Sequence, residues 1–435
     1  MKRLFLTIVF FASILCPSPA LSGPTVLTLD EAVERGLAAN RDIQVARERL
    51  VELEGLKGEA RAMGLPQLTA TGTYQRMWRK PDIFINNQVF KTGTDNTYTA
   101  GGQISQLLWD GGKVFKAVKA AKTEQAKGIQ DIRDAEEQIK LSVKQTFYQI
   151  LYTEKVIDVL KKQLSQLKAH LSSIRTRYEK GIDSDYTLMR QQVEVSNIEP
   201  QLIDAEKTVE LLKNGMKILL VIPPDEEIAL KGDFTYRSKS LPDPVTLIEK
   251  ARATRPDLLA QKFREKSLVQ NVGIEQAGWW PTLNATASWN WQGQSNDWRL
   301  GSNEMTDYAI TALNLSWPIF DGLKTSSRVK QAKARLVQQR FQTSQLEDSV
   351  IKEVKDAVIS LQKAQATLRS QSGSYNTARR ATSIASERFE TGLMSQIELN
   401  DTITAQAQAE QLYYGAIYEC LSAEAVLDKI IGGAL

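Results

Sequence analysis

The sequence predicts a mainly α-helical protein with a smaller β part, built as a tandem duplication. Three observations predict this class. Two stretches, about 111–222 and 322–431, carry apolar residues spaced alternately by three and four, which places one apolar seam along each helix of a coiled-coil hairpin. Four shorter stretches alternate polar and apolar residues, as β-strands do. The signals of the first half recur in the second half, 211–215 residues later.

The N-terminus has the features of a cleaved secretory signal peptide. Two basic residues precede an apolar run over 4–16, and small residues follow at Ala20 and Ser22. The run is too short to span a bilayer as a helix. Cys16 suggests lipoprotein processing, but the residue before it is larger than the usual one, so an ordinary signal core is favoured. We therefore expect residues 1–22 to be removed.

Composition and motif content exclude several classes of function. The 55 basic residues barely exceed the 51 acidic ones, and this balance does not favour a nucleic-acid partner. The mature chain keeps a single cysteine, Cys420, and a single histidine, His170, so neither a disulfide nor a histidine metal cluster is expected. It carries no phosphate-binding loop, nucleophile elbow or zinc-protease motif. We expect no enzyme activity, catalytic residue, metal or cofactor.

The first repeat is assigned to residues 23–218. A helix begins near Leu29 and continues to about Met63, where a Gly-Leu-Pro sequence ends it. The remaining segments are strands at about 66–79 and 97–109, a polar connection between them, and a long helical hairpin at about 111–222. At about 1.5 Å per residue, the outgoing helix of that hairpin would be about 100 Å long.

The second repeat is assigned to residues 246–435, after an inter-repeat linker at 219–245. It contains a helix at about 247–278, strands at about 281–292 and 307–320, and a long helical hairpin at about 322–431. Each hairpin turns at an Arg-aromatic-x-x-Gly sequence. The strand-to-helix junctions also repeat, and we expect their prolines, capping aspartates and glycines to be structural. These residues are Pro66, Asp110, Gly111, Pro281, Asp321 and Gly322.

The four strands have the length and alternation of membrane-spanning β-strands. Tilted strands of about 9–11 residues cross a bilayer, with one face toward lipid. Aromatic residues gather at the strand ends next to the helices, where they fit an interfacial girdle. They are Trp109, Trp279, Trp280, Trp317 and Phe320. Four strands cannot close a barrel, so copies of the chain must pool their strands as eight, twelve or sixteen.

The duplication, the Pro-initiated strands, the Asp-Gly junctions and the Arg-aromatic-x-x-Gly turns together resemble the TolC family of outer-membrane channel proteins, over essentially the whole mature chain. The resemblance implies a homotrimer with a 12-stranded β-barrel in the lipid of a Gram-negative-type outer membrane and an α-helical tunnel in the periplasm. It also implies an equatorial belt near residues 219–245. The expected partners are a periplasmic adaptor protein and, through it, an inner-membrane pump or ABC secretion ATPase.

The resemblance also assigns roles to the hairpin turns. Glu398 and Asp401 lie three residues apart on one helix face, where family members carry acidic residues around the closed pore. The first-half turn departs from this pattern, because its acids are Asp183 and Asp185; these join the gate or face the adaptor. From the residues alone, all of these acids could be solvated surface groups. The expected adaptor contacts are Gly181, Ile182, Ser184, Gly392, Leu393 and Ser395, although turn formation alone also explains them.

The expected function is a passive exit duct for a tripartite efflux pump or a type I secretion system. Its alternative is a non-conducting, periplasm-spanning coiled-coil scaffold or a trimeric adhesin anchored in the outer membrane. A carbohydrate-binding module that uses the tryptophans is disfavoured, because it would not need such long helices.

Overall fold

The computed structural model describes residues 25–85, 88–238, 241–298 and 305–433. The signal peptide expected at 1–22, including Cys16, lies outside the described residues. The chain divides into two compact units. Among the described residues, the first lies within 25–40, 142–237 and 365–422, and the second lies within 41–141, 238–364 and 423–433.

Helices account for most of the described chain. Their bounds are α1 Leu29–Ala39, α2 Arg41–Ala62, α3 Lys113–Glu179, α4 Asp185–Leu220, α5 Pro244–Thr254, α6 Pro256–Gln276, α7 Lys324–Glu390 and α8 Gln396–Ile430. The strands are β1 Thr25–Leu27, β2 Gln67–Arg76, β3 Asp82–Ile85, β4 Gln88–Lys91, β5 Asn96–Trp109, β6 Ile228–Leu230, β7 Thr282–Ser295 and β8 Met305–Ser316.

The helix that precedes the strands of each repeat is two helices rather than the single one predicted. The break in the first repeat lies at Asn40, with ψ 135°, and the break in the second lies at Arg255, with ψ 119°. Arg255 precedes Pro256, and a proline disfavours the helical conformation of the residue before it. No proline follows Asn40, but its side-chain amide donates to the carbonyl oxygen of Leu219 at 3.0 Å.

The first unit is built on the seam between α3 and α4. Leu160, Leu167 and Val195 lie at its centre, with Ile198 and Ala205, and each is at least nine-tenths buried. These are positions of the predicted heptad pattern, so the coiled-coil pairing follows from the sequence. The predicted linker contains a strand, β6, that pairs in parallel with β1. Three-residue strands are too short to show a period, which is why the sequence did not reveal them.

The second unit contains a four-stranded antiparallel sheet in the order β2-β5-β7-β8. Residues opposite one another share a face of the sheet, as Leu68, Ile104 and Ala287 do. That face is largely apolar. It carries Leu68, Ala70, Tyr74, Ile104, Leu283, Ala287, Trp289, Trp291, Leu313 and Leu315. The opposite face carries mainly threonine, serine, asparagine and glutamine, so the predicted two-faced alternation is present.

Two strand predictions need correction. The last strand was expected at 307–320 but β8 ends at Ser316, because Pro318 has no N–H to donate to a sheet. Trp317 and Phe320 therefore lie beyond the strand. The connection at 81–96 was expected to be polar and rich in turns, with no strand assigned to it, yet it holds a β3–β4 hairpin in which Phe84 lies opposite Val89.

The predicted junction residues make specific local contacts. The Asp110 carboxylate accepts the amide hydrogens of Gly112 at 3.0 Å and Val114 at 2.7 Å. Asp321 likewise accepts from the amide of Thr325 at 2.8 Å. Gly111 has a φ of 68°, and a Cβ atom there would lie 2.7 Å from the Cβ of Trp280, so a side chain does not fit. Trp317 donates its indole hydrogen to the carbonyl oxygen of Trp279 at 3.2 Å.

No helix within the described residues is long and apolar enough to cross a membrane.

Candidate functional site at the hairpin turns

Both long hairpins turn through the same glycine motif. At the end of α3, Gly181 has a φ of 71°, and the amide of Ile182 donates to the carbonyl of Arg177 at 2.9 Å. At the end of α7, Gly392 has a φ of 77°, and the amide of Leu393 donates to the carbonyl of Arg388 at 2.9 Å. A residue in the left-handed conformation follows each helix, and the next residue donates its amide hydrogen to a carbonyl five positions earlier. This is a Schellman ending, in which glycine is the usual left-handed residue. The positions predicted as turn glycines therefore have a local structural reason.

The helices that follow the turns are capped by serines. The Ser184 hydroxyl accepts the amide hydrogen of Thr187 at 3.3 Å, and the Ser395 hydroxyl accepts that of Glu398 at 3.3 Å. The second turn closes a capping box, because the Ser395 amide donates to the Glu398 carboxylate at 2.9 Å. Glu398, predicted as a gate residue, thus has a capping role.

The hydrogen bond from the Ser395 backbone amide, followed by that from its hydroxyl, lowers the pKa of the exposed Glu398 carboxyl. Stabilisation from a lowered pKa is present above the unfolded pKa of about 4.3 and is lost as the pH falls through the folded pKa. We therefore predict that the first turn of α8 frays below about pH 4. Hydrogen exchange of residues 395–400 across pH 3–7 measures this. Glu398→Gln keeps the capping geometry without a charge, so fraying with the same pH profile in that variant would contradict the prediction.

A buried amide cluster joins the two hairpins close to their turns. The side-chain amide of Gln191 on α4 donates to the carbonyl oxygen of Leu167 on α3 at 3.0 Å. Its oxygen accepts hydrogens from the amides of Gln396 at 2.6 Å and Asn400 at 2.7 Å, both on α8. Gln191 is completely buried and Asn400 is 5% exposed. The sequence analysis did not identify this cluster.

The turns also line a cleft of about 310 Å³. Its wall combines Asp183 and Arg177 from the first hairpin with Gly392, Ser395 and Phe389 from the second. Asp183 and Arg177 are ion-paired at 3.1 Å. The cleft therefore brings parts of both turns together, with one of the predicted acids already neutralised.

The remaining predicted residues stand on the surface of the turns. Asp185 and Asp401 are exposed, and neither forms an ion pair within the described part of the chain. Ile182 is 64% exposed and Leu393 is 79% exposed. Each turn therefore exposes one large apolar side chain.

The single histidine lies next to this site. The His170 ring makes an edge contact with Phe389 at 5.6 Å between centroids. Burial lowers the pKa of His170, and the nearby Glu390 charge only partly opposes this, so the ring is neutral near pH 7. No group of three or more metal-binding side chains was found in the described ranges.

Comparison with known proteins identifies the family. A family model described as "Outer membrane efflux protein" matches residues 32–211 and 247–433. The chain belongs to the outer membrane efflux protein family. The two matched segments correspond to the two repeats, and the predicted outer-membrane location is confirmed by this membership.

Curated relatives of this efflux protein are similar over nearly their whole length. Outer membrane protein TolC of Vibrio cholerae is 21% identical over 395 residues, covering 90% of this chain and 87% of the relative. Outer membrane efflux protein BepC of Brucella suis is 22% identical over 424 residues, covering 95% and 89%. The resemblance to the TolC family is thus confirmed.

Solved structures share the fold of this efflux protein. The outer membrane protein VceC of Vibrio cholerae aligns with a TM-score of 0.78 at 19% identity, covering 93% of this chain and 96% of VceC. The open MtrE channel of Neisseria gonorrhoeae also has a TM-score of 0.78, at 17% identity, and the alignment covers 94% and 89%. These likenesses confirm the predicted fold class.

Proposed function

We propose that this efflux protein is a trimeric exit duct that lets substrates leave the cell passively through the outer membrane. The observation that carries the proposal is the four-stranded sheet β2-β5-β7-β8, which we call the membrane sheet and which does not close into a barrel within the described part of one chain. Within the described residues β2 and β8 each pair on one side only, and one face of the sheet is apolar. Lipid offers no partners for strand edges, so copies of the chain must join edge to edge. Three copies give twelve strands, which enclose a channel.

An apolar stripe on α4 supports assembly of several copies. Its members lie opposite the buried α3–α4 seam and are all more than half exposed. They are Tyr186, Met189, Val193, Ile203, Leu211 and Ile218. Spacings that combine three and four place them along one side of the helix. We assign this stripe to the neighbouring protomer, because such a row is too large to leave in water.

The hairpin turns are our proposed docking site for a periplasmic adaptor, through which an inner-membrane pump or secretion ATPase would supply energy. The exposed Ile182 and Leu393 offer apolar contacts there. The glycines Gly181 and Gly392 and the serines Ser184 and Ser395 shape the turns. The relatives are named for efflux and export, which agrees with transport rather than catalysis.

Among the four proposed gate acids, Asp401 and Asp185 are the two whose carboxylates form no ion pair or capping bond within the described residues, and we assign the gate to Asp401. Glu398 is held in the capping box, and Asp183 pairs with Arg177. Asp185 is exposed like Asp401 but lies on the first hairpin. A threefold axis would turn Asp401 into a ring of three carboxylates, which attracts cations and binds divalent ions in a narrow pore.

Single-channel conductance in planar bilayers tests both the duct and its gate. We predict a small, cation-selective conductance that divalent cations block, and a block about tenfold weaker in Asp401→Asn, equivalent to 1.4 kcal/mol. Glu398→Gln and Asp183→Asn are matched controls that remove neighbouring acids and should change the block less. Equal weakening in all three variants would show that the block reflects general surface charge. No conductance from folded trimers would contradict the duct.

A further inference from the structure

The apolar face of the membrane sheet ends in a basic and aromatic pair. Residues two apart in a strand share a face, so Arg76 lies on the same face as Leu68 and Tyr74. The guanidinium carbon of Arg76 lies 4.4 Å from the ring centroid of Trp78. That distance is within the range of a cation–π contact. Trp78 is 84% exposed, so the pair lies on the surface of the protein.

The register of the sheet gives the depth of this pair in the membrane. Arg76 lies opposite Asn96, which lies opposite Ser295, twelve residues along β7 from Leu283. Twelve residues span about 40 Å along a strand, or about 30 Å across the membrane at a tilt of about 40°. The apolar band of an outer-membrane barrel is about 25 Å tall. If the band begins at the helix-proximal end near Leu283, Arg76 lies just beyond it, at the depth of lipid headgroups.

The segment that carries the pair is basic. Residues 76–95 contain four basic and two acidic side chains, a net charge of +2. The Lys80 ammonium forms an ion pair with the Asp95 carboxylate at 3.1 Å and donates a hydrogen bond to the side-chain oxygen of Asn296 at 2.7 Å. Arg79 and Lys91 are exposed and form no ion pair within the described ranges. The two guanidinium groups of Arg76 and Arg79 are therefore available to an anion.

We propose that Arg76, Trp78 and Arg79 form a binding site for the phosphate groups of an outer-leaflet lipid. Guanidinium groups bind phosphate oxygens in a bidentate manner, and tryptophan prefers the boundary between acyl chains and headgroups. A lipid fits better than a soluble anion, because Arg76 lies on the same face of the sheet as the apolar side chains of β2 and the exposed Trp78 lies beside it. It lies at the end of the sheet away from the helices and does not depend on the hairpin turns.

Native mass spectrometry of the detergent-purified assembly tests this site. The probes are a diphosphorylated lipid A, the same lipid without phosphates, and inorganic phosphate. We expect the phosphorylated lipid to bind best, and its affinity to fall about tenfold in the double variant Arg76→Gln/Arg79→Gln and in Trp78→Ala. Lys91→Gln is the matched control, since it removes a cation from the same loop, and it should leave the affinity within about twofold.

Each other outcome overturns the site. An equal loss in Lys91→Gln would show diffuse charge attraction, and equal binding of both lipids would remove the role of phosphate. Equal binding of inorganic phosphate would point to a soluble anion. A lower mass of the assembly in the variants would show that the loop joins copies of the chain instead. Conductance and divalent block, measured on the same variants, should stay at the wild-type level. A failed lipid site is therefore distinguishable from a failed duct.

Discussion

Replacing Arg255 with alanine is expected to destabilise the second unit by about 1.5–3 kcal/mol, the range for hydrogen bonds to charged groups, because the arginine is buried while its two carboxylate partners are partly exposed. Arg255 is 9% exposed at the break between α5 and α6. Its guanidinium group donates to Asp257 at 2.8 Å and to Glu353 on α7 at 2.6 Å. Burial acts to lower the pKa of Arg255, but the hydrogen bonds that it donates to the two carboxylates, together with their negative charges, more than offset this effect and the pKa is raised. Removing the arginine leaves these carboxylates without their cation.

The loss should depend on pH. Burial raises the pKa of Asp134, the charge of Asp257 raises it further, and Lys429 and Arg255 oppose the rise. A carboxyl whose folded pKa is raised stabilises the fold below its unfolded pKa of about 3.9, and that stabilisation is lost as the pH rises through the folded pKa. Without Arg255, whose positive charge opposes it, the rise in the pKa of Asp134 becomes larger. The free energy of unfolding that Arg255→Ala loses relative to the wild type should therefore be greatest near pH 7 and smaller near pH 4.

Hydrogen exchange of the amides of α5 and α6 measures the local free energy of opening. Lys352→Ala is the matched control, because Lys352 pairs with Asp356 on the same helix as Glu353 but both side chains are exposed. Exposed pairs contribute about 0–1 kcal/mol. Similar losses in the two variants would show that burial of the Arg255 cluster has no energetic consequence.

The sequence revealed the fold wherever one physical signal covered many residues. The heptad seams of the long hairpins and the alternation in β2 and β7 are such signals. They are strong because burial on one face fixes the spacing of apolar residues. The two-stranded β1–β6 sheet and the β3–β4 hairpin gave no signal, since three or four residues cannot display a period. The break at Arg255 was readable in principle, because Pro256 follows it.

The site was predicted less completely than the fold. The turn glycines and serines were found, because Schellman endings and capping boxes have local sequence signatures. That Glu398 serves as a cap and that Asp183 pairs with Arg177 depended on side-chain geometry that no spacing specifies. The sequence did contain a signal for Gln191. It stands four residues before Val195, at a position where the heptad pattern calls for an apolar side chain. A polar residue in such a seam indicates a buried network.

Replacing Gln191 with leucine should loosen the paired hairpin turns. The change removes the acceptor of the buried side-chain amide of Asn400. It also removes a second hydrogen bond to the carbonyl oxygen of Leu167, which keeps its bond within α3. An unsatisfied buried group such as the Asn400 amide costs about 1–3 kcal/mol. Gln396 is only partly buried and can bond to water instead. We therefore expect protection of α4 and α8 amides near the turns to fall, as measured by hydrogen exchange.

A double-mutant cycle separates this network from simple packing. Asn400→Leu alone also breaks the network, but the Gln191→Leu/Asn400→Leu pair replaces both polar partners with apolar ones. Its cost should therefore be less than the sum of the single changes, with an interaction energy of about 0.5–3 kcal/mol. Strict additivity would mean that the two amides contribute independently. Because Gln191 belongs to the first hairpin and Asn400 to the second, a measured coupling would show that the two hairpins stabilise each other near their turns.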